Sequence, residues 1–374
     1  MYSVVAYGIM ATDGVRMDAY ERAIAKAVKP GDVVVDIGCG PGIFSLLALR
    51  AGAVRVHAID TDSTVWLARD LLAENGFGDK LVVHQKSSFD VDIGEKADVV
   101  IADLRGSFTL FEQNVASLAD ARTRFLAPGG SMVPTRDRLF VTLIESERFR
   151  RHIELGWTSL ERRGFSGKAA RVATLNSIYS DSEVMVLADQ ALSDSKPWAE
   201  IRYGEPVVRS FDATVDLSMT RGGTAHALAL WFQASLFDDI GFDNAPGKQL
   251  VYRRTILPLD EPVRVEAGES ARVTLRADVT GSQWAWDTVI GNRARFRQAT
   301  FLGRPTSPEA LLRESMEATP SRSHEGERAS RILTMMDGAT KLDAIVEAIA
   351  ASEPQARREA IIDDVRGCAR RYSR

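Results

Sequence analysis

Val33, Val34, Val35 and Ile37 form an almost continuous apolar run that reads as a buried parallel strand. Gly38, Gly40 and Gly42 follow it, and Ile43 to Arg50, free of Gly and Pro, suit a helix. Val54 to Ile59 reads as a second strand, ending at Asp60. This order of strand, glycine turn, helix, strand and acid predicts a site for the adenosine end of a cofactor at the carboxyl edge of a parallel sheet. Upstream, residues 18–28 predict a helix stopped at Pro30. Downstream, a helix beyond Thr61-Asp62 stops at Gly76, and strands follow over 81–84 and 97–102, the second running into Asp103. An apolar-periodic helix over 113–126 is expected to end at Pro128-Gly129-Gly130.

From Asp137 to about Phe301 the period changes. RLFVTLIES and ARVTLRADV alternate or nearly so, HALALWFQASL is a further strand candidate, and GFDNAPG is a long turn. This predicts a mostly antiparallel second domain, a barrel or a sandwich. Residues 304–330, rich in Pro, Ser and Glu, read as a linker. The last stretch, 331–374, reads helix, DGAT turn, helix, loop, helix, with Ile332, Leu333, Met336, Leu342, Ile345, Val346 and Ile349 as one small apolar core.

A length of 374 residues predicts two or three domains with ample core. A net charge of −4 gives no broad electrostatic grip on nucleic acid. Cys39 and Cys368 are the only cysteines, so neither a disulfide framework nor a cysteine-rich metal site is expected. Asp, Glu and His do not cluster at ligand spacing, and no metal is expected. No segment is long and apolar enough to span a bilayer, and MYSVVAYGIMATDGVR lacks a basic leader, so no membrane partner and a cytoplasmic enzyme are expected.

The glycine spacing is GxGxG, not the GxGxxG that brings backbone against a pyrophosphate. Asp36, just before the glycines, would repel a pyrophosphate but suits a cationic methionyl end, which favours S-adenosylmethionine (SAM) over NAD. Asp60 is placed to accept hydrogen bonds from ribose hydroxyls. Ser88 either meets an adenine edge or is a loop serine. Arg16 is either a surface arginine or a fork for the cofactor carboxylate. Asp103 and Glu112 stand nine residues apart with Gly106 between them. They read either as a two-carboxylate receptor for a guanidinium or amine, with Glu112 as candidate base, or as a turn cap and a helix-opening acid. Trp284, Trp286 and Tyr252 either line a pocket or fill a core.

MATDGVRMDAY, VVVDIGCGPGIFSLLALRAGA, ADVVIADLRGSFTLFE, ADARTRFLAPGG and MVPTRDRLFVTLIES, followed by HALALWFQASL and GFDNAPG, occur in the order that marks one family. Residues 7 to about 290 resemble the protein arginine methyltransferases, as a divergent, bacterial-like member. The resemblance implies a class I, Rossmann-like SAM-binding domain followed by a β-barrel, assembled as a homodimer through an arm within 155–200. It assigns Arg16 to the SAM carboxylate, Gly38, Gly40 and Gly42 to the cofactor turn, Asp60 to ribose, Ser88 to adenine, and Asp103 and Glu112 to the acceptor arginine. Two departures stand out. Leu104 and Arg105 replace an aromatic and a methionine, and the family's Thr-His-Trp triplet falls near Leu250-Val251-Tyr252 without its histidine. Arg105 and Tyr252 are therefore expected at the substrate. The tail resembles the small PqqD-like winged-helix units that hold leader peptides.

The expected architecture is thus α/β: a helical cofactor lid (1–30), a doubly wound SAM-binding domain (31–135), an antiparallel barrel (136–303), a linker (304–330) and a helical or winged-helix unit (331–374). The expected function is SAM-dependent N-methylation of a guanidine or amine nitrogen on a peptide or protein, such as a ribosomally made natural-product precursor. The alternatives are methylation of a small molecule such as free arginine, and a non-catalytic scaffold.

Overall fold

The computed structural model describes residues 3–106, 108–110, 113–206, 208, 210–278 and 283–373. The chain divides into two compact units, Met1–Pro305 and Thr306–Arg374.

The first unit begins with two helices, α1 (Val4–Ala11) and α2 (Gly14–Ala27). Asp13 starts α2 earlier than the sequence pattern suggests, because its side chain accepts the Arg16 backbone N–H at 3.1 Å. Strand and helix then alternate except between β3 and β4, which no α-helix separates: β1 (Val33–Ile37), α3 (Ile43–Ala51), β2 (Arg55–Asp60), α4 (Val65–Glu74), β3 (Leu81–Gln85), β4 (Ala97–Ala102), α5 (Asn114–Arg124) and β5 (Leu126–Val133). Among the described residues these strands form one parallel sheet in the order β3-β2-β1-β4-β5. Val34, Val35, Val99 and Val100 are fully or almost fully buried, which is why β1 and β4 are apolar without alternation. The strand order reverses between β1 and β4, the place where such sheets open a crevice.

Pro128-Gly129-Gly130 does not end the helix, which stops at Arg124; the triplet lies inside β5. Ala97 pairs with Leu126 and Val99 with Ser131, so β5 carries its extra residues as a bulge in which Gly129 takes φ +80°.

The chain continues as β6 (Arg136–Ile144), α6 (Glu147–Glu161), α7 (Lys168–Leu175), β7 (Tyr179–Ser180), β8 (Lys196–Arg202), β9 (Ser210–Ser218), β10 (Gly223–Phe237), β11 (Ile240–Asp243), β12 (Thr255–Val265), β13 (Ser270–Asp278), β14 (Gln283–Ile290), β15 (Ala294–Ala299) and α8 (Thr300–Gly303). These strands make two antiparallel sheets, β7-β12-β10-β6-β8 with β11 on β10, and β15-β14-β13-β9. In β13, Ala271, Val273, Leu275 and Ala277 point inward while Arg272 and Arg276 pair outward with Asp216 and Asp212. One buried apolar cluster runs from the parallel sheet into both antiparallel sheets. Trp284 and Trp286 belong to it, which settles them as core residues. Between β6 and β7 the helices α6 and α7 interrupt the strands. Among the described residues no helix is long and apolar enough to cross a membrane, and no cluster of His, Cys, Asp or Glu is suited to a metal ion.

The second unit holds α9 (Pro308–Glu314), α10 (His324–Met335), α11 (Leu342–Ser352) and α12 (Arg358–Tyr372), with no strand among its described residues. Helices therefore occupy much of the stretch read as a linker. Ile332, Ile345, Val346 and Ile349 are buried as expected, but Leu333 and Leu342 are exposed. Ile361, Val365 and Cys368 of α12 close the core in their place.

Candidate active site

A cavity of about 750 Å³ opens beyond the carboxyl ends of β1, β2 and β4. The glycine turn forms its floor. Gly38 takes φ +69°, and a Cβ there would run into Leu104. Gly42 takes φ +81°, and its added Cβ would lie 2.6 Å from the Ala68 Cβ. Gly38 lines the cavity, whereas Gly40 and Gly42 only shape the chain beneath it.

Asp60 ends β2 at the cavity wall. One of its oxygens accepts the Gly40 N–H and the other the Asp62 N–H, each at 2.8 Å. These bonds fix the carboxylate, and each oxygen keeps a second lone pair for a hydroxyl. Ser88 lies at the same rim after β3, together with Lys86, Ser87 and Phe89. Its carbonyl accepts from Arg124, which is itself paired with Asp120. Tyr7 of α1 also lines the cavity.

Arg16 and Asp103 meet at the opposite end. The Arg16 Nε–H donates to Asp103 Oδ2 at 2.7 Å and also lies 3.1 Å from the Tyr252 hydroxyl. Tyr252 donates its own proton to the same Asp103 oxygen. Asp103 Oδ1 accepts from Arg105 Nη1 at 3.0 Å. The Arg16 guanidinium also stands 5.0 Å from the Phe44 ring centroid. Burial opposes the charge on Arg16, but Asp103, with Tyr252 and Tyr20 beside it, outweighs burial and holds the guanidinium more firmly protonated than usual. Burial likewise pushes the Asp103 carboxyl up, yet Arg16 and Arg105 together bring it below the usual carboxylate range. Burial, then the Asp103 charge, keep the Tyr252 phenol well above its ordinary range, so it remains a donor.

Two expected site residues lie elsewhere. Asp36 does not reach the cavity: it is buried under the turn, where Oδ2 accepts from the Ser45 hydroxyl at 2.7 Å. Period-two alternation sends its side chain away from the crevice and toward the first turn of α3. Burial pushes its carboxyl up to about 7. Arg105 is not at the substrate either, being 1% exposed. Its fork grips Asp137 at 2.8 and 2.9 Å, and Nη1 donates to the Tyr20 hydroxyl at 2.8 Å. Thr109 and Tyr203 donate to the same Asp137. Glu112 lies outside the described residues.

Tyr7 and Asp137 were not singled out from sequence as site residues. A signal for Asp137 existed, since it falls in phase with Leu139, Val141 and Leu143 on β6, where an acid needs a buried cation. No comparable signal marked Tyr7.

Residues 16–134 match the family model described as ribosomal protein L11 methyltransferase (PrmA). The chain is 37% identical over 154 residues to the probable protein arginine N-methyltransferase 6.1 of Oryza sativa subsp. indica, a match covering 40% of this chain and 40% of that relative's length. It is 27% identical over 276 residues to the arginine N(omega)-methyltransferase of Streptomyces achromogenes subsp. streptozoticus, covering 71% of this chain and 74% of that one. Among solved structures, the Trypanosoma brucei PRMT1 enzyme-prozyme heterotetrameric complex with AdoHcy superposes with a TM-score of 0.70 at 24% identity, covering 78% of this chain and 97% of that one. The fold is therefore that of the arginine methyltransferase structures.

Proposed function

We propose that the chain is a SAM-dependent N-methyltransferase acting on a guanidine or amine nitrogen of a peptide or protein in the cytoplasm. The observation that carries this reading is the cavity at the strand-order reversal, where the Gly38 turn, Asp60 and Arg16 face one space. Those groups suit a SAM-shaped donor: a cation for its carboxylate, a fixed acid for its ribose hydroxyls, and the Ser88 rim for adenine. The volume is in the range of small-molecule sites. The names of the relatives point to the same chemistry.

SAM supplies a methyl group on a sulfonium, so transfer forms one N–C bond as one S–C bond breaks. The chain's part is to align the acceptor nitrogen and exclude water. Glu112 is assigned to the acceptor and, for an alkylamine, to removal of its proton. The antiparallel sheets, read as the barrel of this family, supply the acceptor side. The helical unit beyond Pro305 is assigned to recruiting a peptide, which would raise its effective concentration without touching the chemistry. A second copy of the chain is assigned to the α6–α7 hairpin. A relative named for arginine itself, without the word protein, favours free arginine as the second reading.

The test is calorimetry with SAM, S-adenosylhomocysteine and NAD, followed by labelled-SAM transfer to arginine-bearing peptides, lysine-bearing peptides and free arginine. Binding of the first two ligands and methylation on nitrogen are expected. NAD binding without SAM binding overturns the reading. The transfer is repeated with a chain ending at Pro305, a cut that removes the second apolar core whole and leaves the first undivided. A raised KM for peptide with little change in kcat is the expected effect, and equal activity on free arginine selects the second reading.

A further inference from the structure

We infer that His226 is a proton-operated latch on the α6–α7 hairpin: as a neutral ring it holds the first turn of α6 to the antiparallel sheet, and as a cation it releases it. The latch stands on the geometry at the root of the hairpin. Its effect on assembly rests on the reading above that a second copy covers the hairpin.

The ladder between β6 and β10 ends at the pair Ile144 and Ala227. The chain then leaves the sheet, and Ser146, 1% exposed, caps α6 by accepting the Phe149 N–H at 3.4 Å. The Ser146 N–H is itself buried and needs an acceptor. In place of a strand carbonyl it meets a side chain, donating to Nδ1 of His226 at 3.1 Å. A bulge in β10 brings the ring there. Ala225 pairs with Val263 of β12 and Ala227 with Pro258, so His226 falls where the register shifts. Arg150 ties the same turn of α6 to β12 by donating to the carbonyls of Leu259 and Asp260. That attachment does not titrate, so loss of the His226 contact loosens the joint without freeing the whole helix.

A ring nitrogen is a conditional acceptor. With its proton on Nε2 the neutral ring offers a lone pair at Nδ1, whereas in the cation both nitrogens donate. Protonation therefore sets two donors 3.1 Å apart and strands the Ser146 N–H. Glu145, next in the chain, attracts the cation. Its carboxylate accepts the Thr224 N–H and an Arg221 N–H, each at 2.7 Å, and these two partners hold its carboxyl below the ordinary range. The other charges at the joint are Glu147 and Arg150 on α6, Asp260 and Glu261 where β12 passes the bulge, and Asp189 on the turn at 188–190; the last three are exposed. Burial holds the His226 ring below its ordinary pKa, against the pull of Glu145 and with the help of Arg150. A released ring in water returns to about 6.5 and takes up the proton more readily. The latch is thus closed above about pH 6.5 and loosens as pH falls below it.

Hydrogen exchange of the full chain tests this, read by mass spectrometry at the amides of Ser146, Phe149 and Arg150 and divided at each pH by the rate of an unstructured peptide. From pH 7.5 to pH 5 the opening of the joint should rise about 5- to 30-fold, the upper figure being the most that one ordinary imidazole allows. His226→Asn keeps an acceptor where Nδ1 stands but does not titrate, so its opening should change by less than about twofold over the same range. His226→Ala has no acceptor and should exchange faster than the unaltered chain at pH 7.5. A change of less than about twofold in the unaltered chain overturns the inference. So does an Asn variant with the full pH response, because another group then carries the proton. Amides of β1 and β4, followed in the same samples, separate local release from acid unfolding, and their loss of protection in parallel also overturns it. Sedimentation at both pH values reads the effect on assembly: the dimer should weaken in acid in the unaltered chain and hold in His226→Asn. A dimer equally stable at both values overturns the link to assembly. If the unaltered chain is a monomer at pH 7.5, the second-copy reading fails, while exchange still decides the latch.

Discussion

Asp36 lies beneath the glycine turn with Oδ2 on Ser45 and a buried Oδ1 that has no partner. Its folded pKa, pushed up to about 7 by burial, exceeds the roughly 3.9 of an unfolded aspartate. The folded chain therefore holds the extra proton between these two values. Stability falls as pH rises through that window and levels off above it. Asp36→Asn removes the charge but keeps the shape. Relative to the unaltered chain it should gain stability from pH 5 to pH 8, by about 2–4 kcal/mol at the upper end. Urea unfolding across that range checks this, and parallel curves would refute it. At this scale the sequence shows which residues carry charge but not whom they meet. Asp103 is legible as an acid after a strand. Its partners Arg16 and Tyr252 lie 87 and 149 positions away, and only tertiary packing brings them to one oxygen. Arg105 is misread for the same reason: beside an acid in sequence it looks available, yet Asp137 has already claimed it.

At the level of elements, β1 and β4 were readable because both are buried on both faces and so appear as almost unbroken apolar runs. The Pro-Gly-Gly of β5 was not, since a bulge uses the same residues as a helix stop and only the register of the neighbouring strand tells them apart. The turn between β1 and α3 sets how closely α3 sits to α4. Gly42→Ala puts a methyl into the left-handed region and 2.6 Å from Ala68 Cβ. We expect a loss of about 1–3 kcal/mol from strain and overpacking together. Gly94→Ala, also at positive φ but with open space around the added carbon, isolates the conformational part of that loss. If the two substitutions cost the same in chemical denaturation, contact with α4 contributes nothing.

For the molecule as a whole, the hairpin of α6 and α7 exposes Leu155, Trp157 and Phe165, and the helices beside the cavity expose Val5, Ile9, Val15, Trp66 and Leu67. Apolar side chains gathered on projecting elements mark surfaces that other chains cover. A second copy is the occupant proposed above. Sedimentation of the unaltered chain should then give a dimer, and Phe165→Glu should give a monomer with unchanged circular dichroism. A monomer from the unaltered chain at micromolar concentration would remove the proposal. This level of organisation was the least legible in sequence, because an exposed leucine and a core leucine obey the same helical period.

The fork of Arg105 on Asp137 has a consequence for descent. Removing Arg105 leaves Asp137 buried without its cation, and removing Asp137 leaves Arg105 with one ion pair, to Asp103, each at a cost of about 3–5 kcal/mol, whereas exchanging both for well-packed apolar side chains can be neutral. Tyr203 and Thr109, which also donate to Asp137, raise the barrier on the aspartate's side of that exchange, because both lose their acceptor with it. The two positions are therefore energetically coupled, and a change at one is expected to require a change at the other. A path to or from this pair by single substitutions crosses an intermediate with an underpaired buried charge, which makes the pair hard to enter and hard to leave.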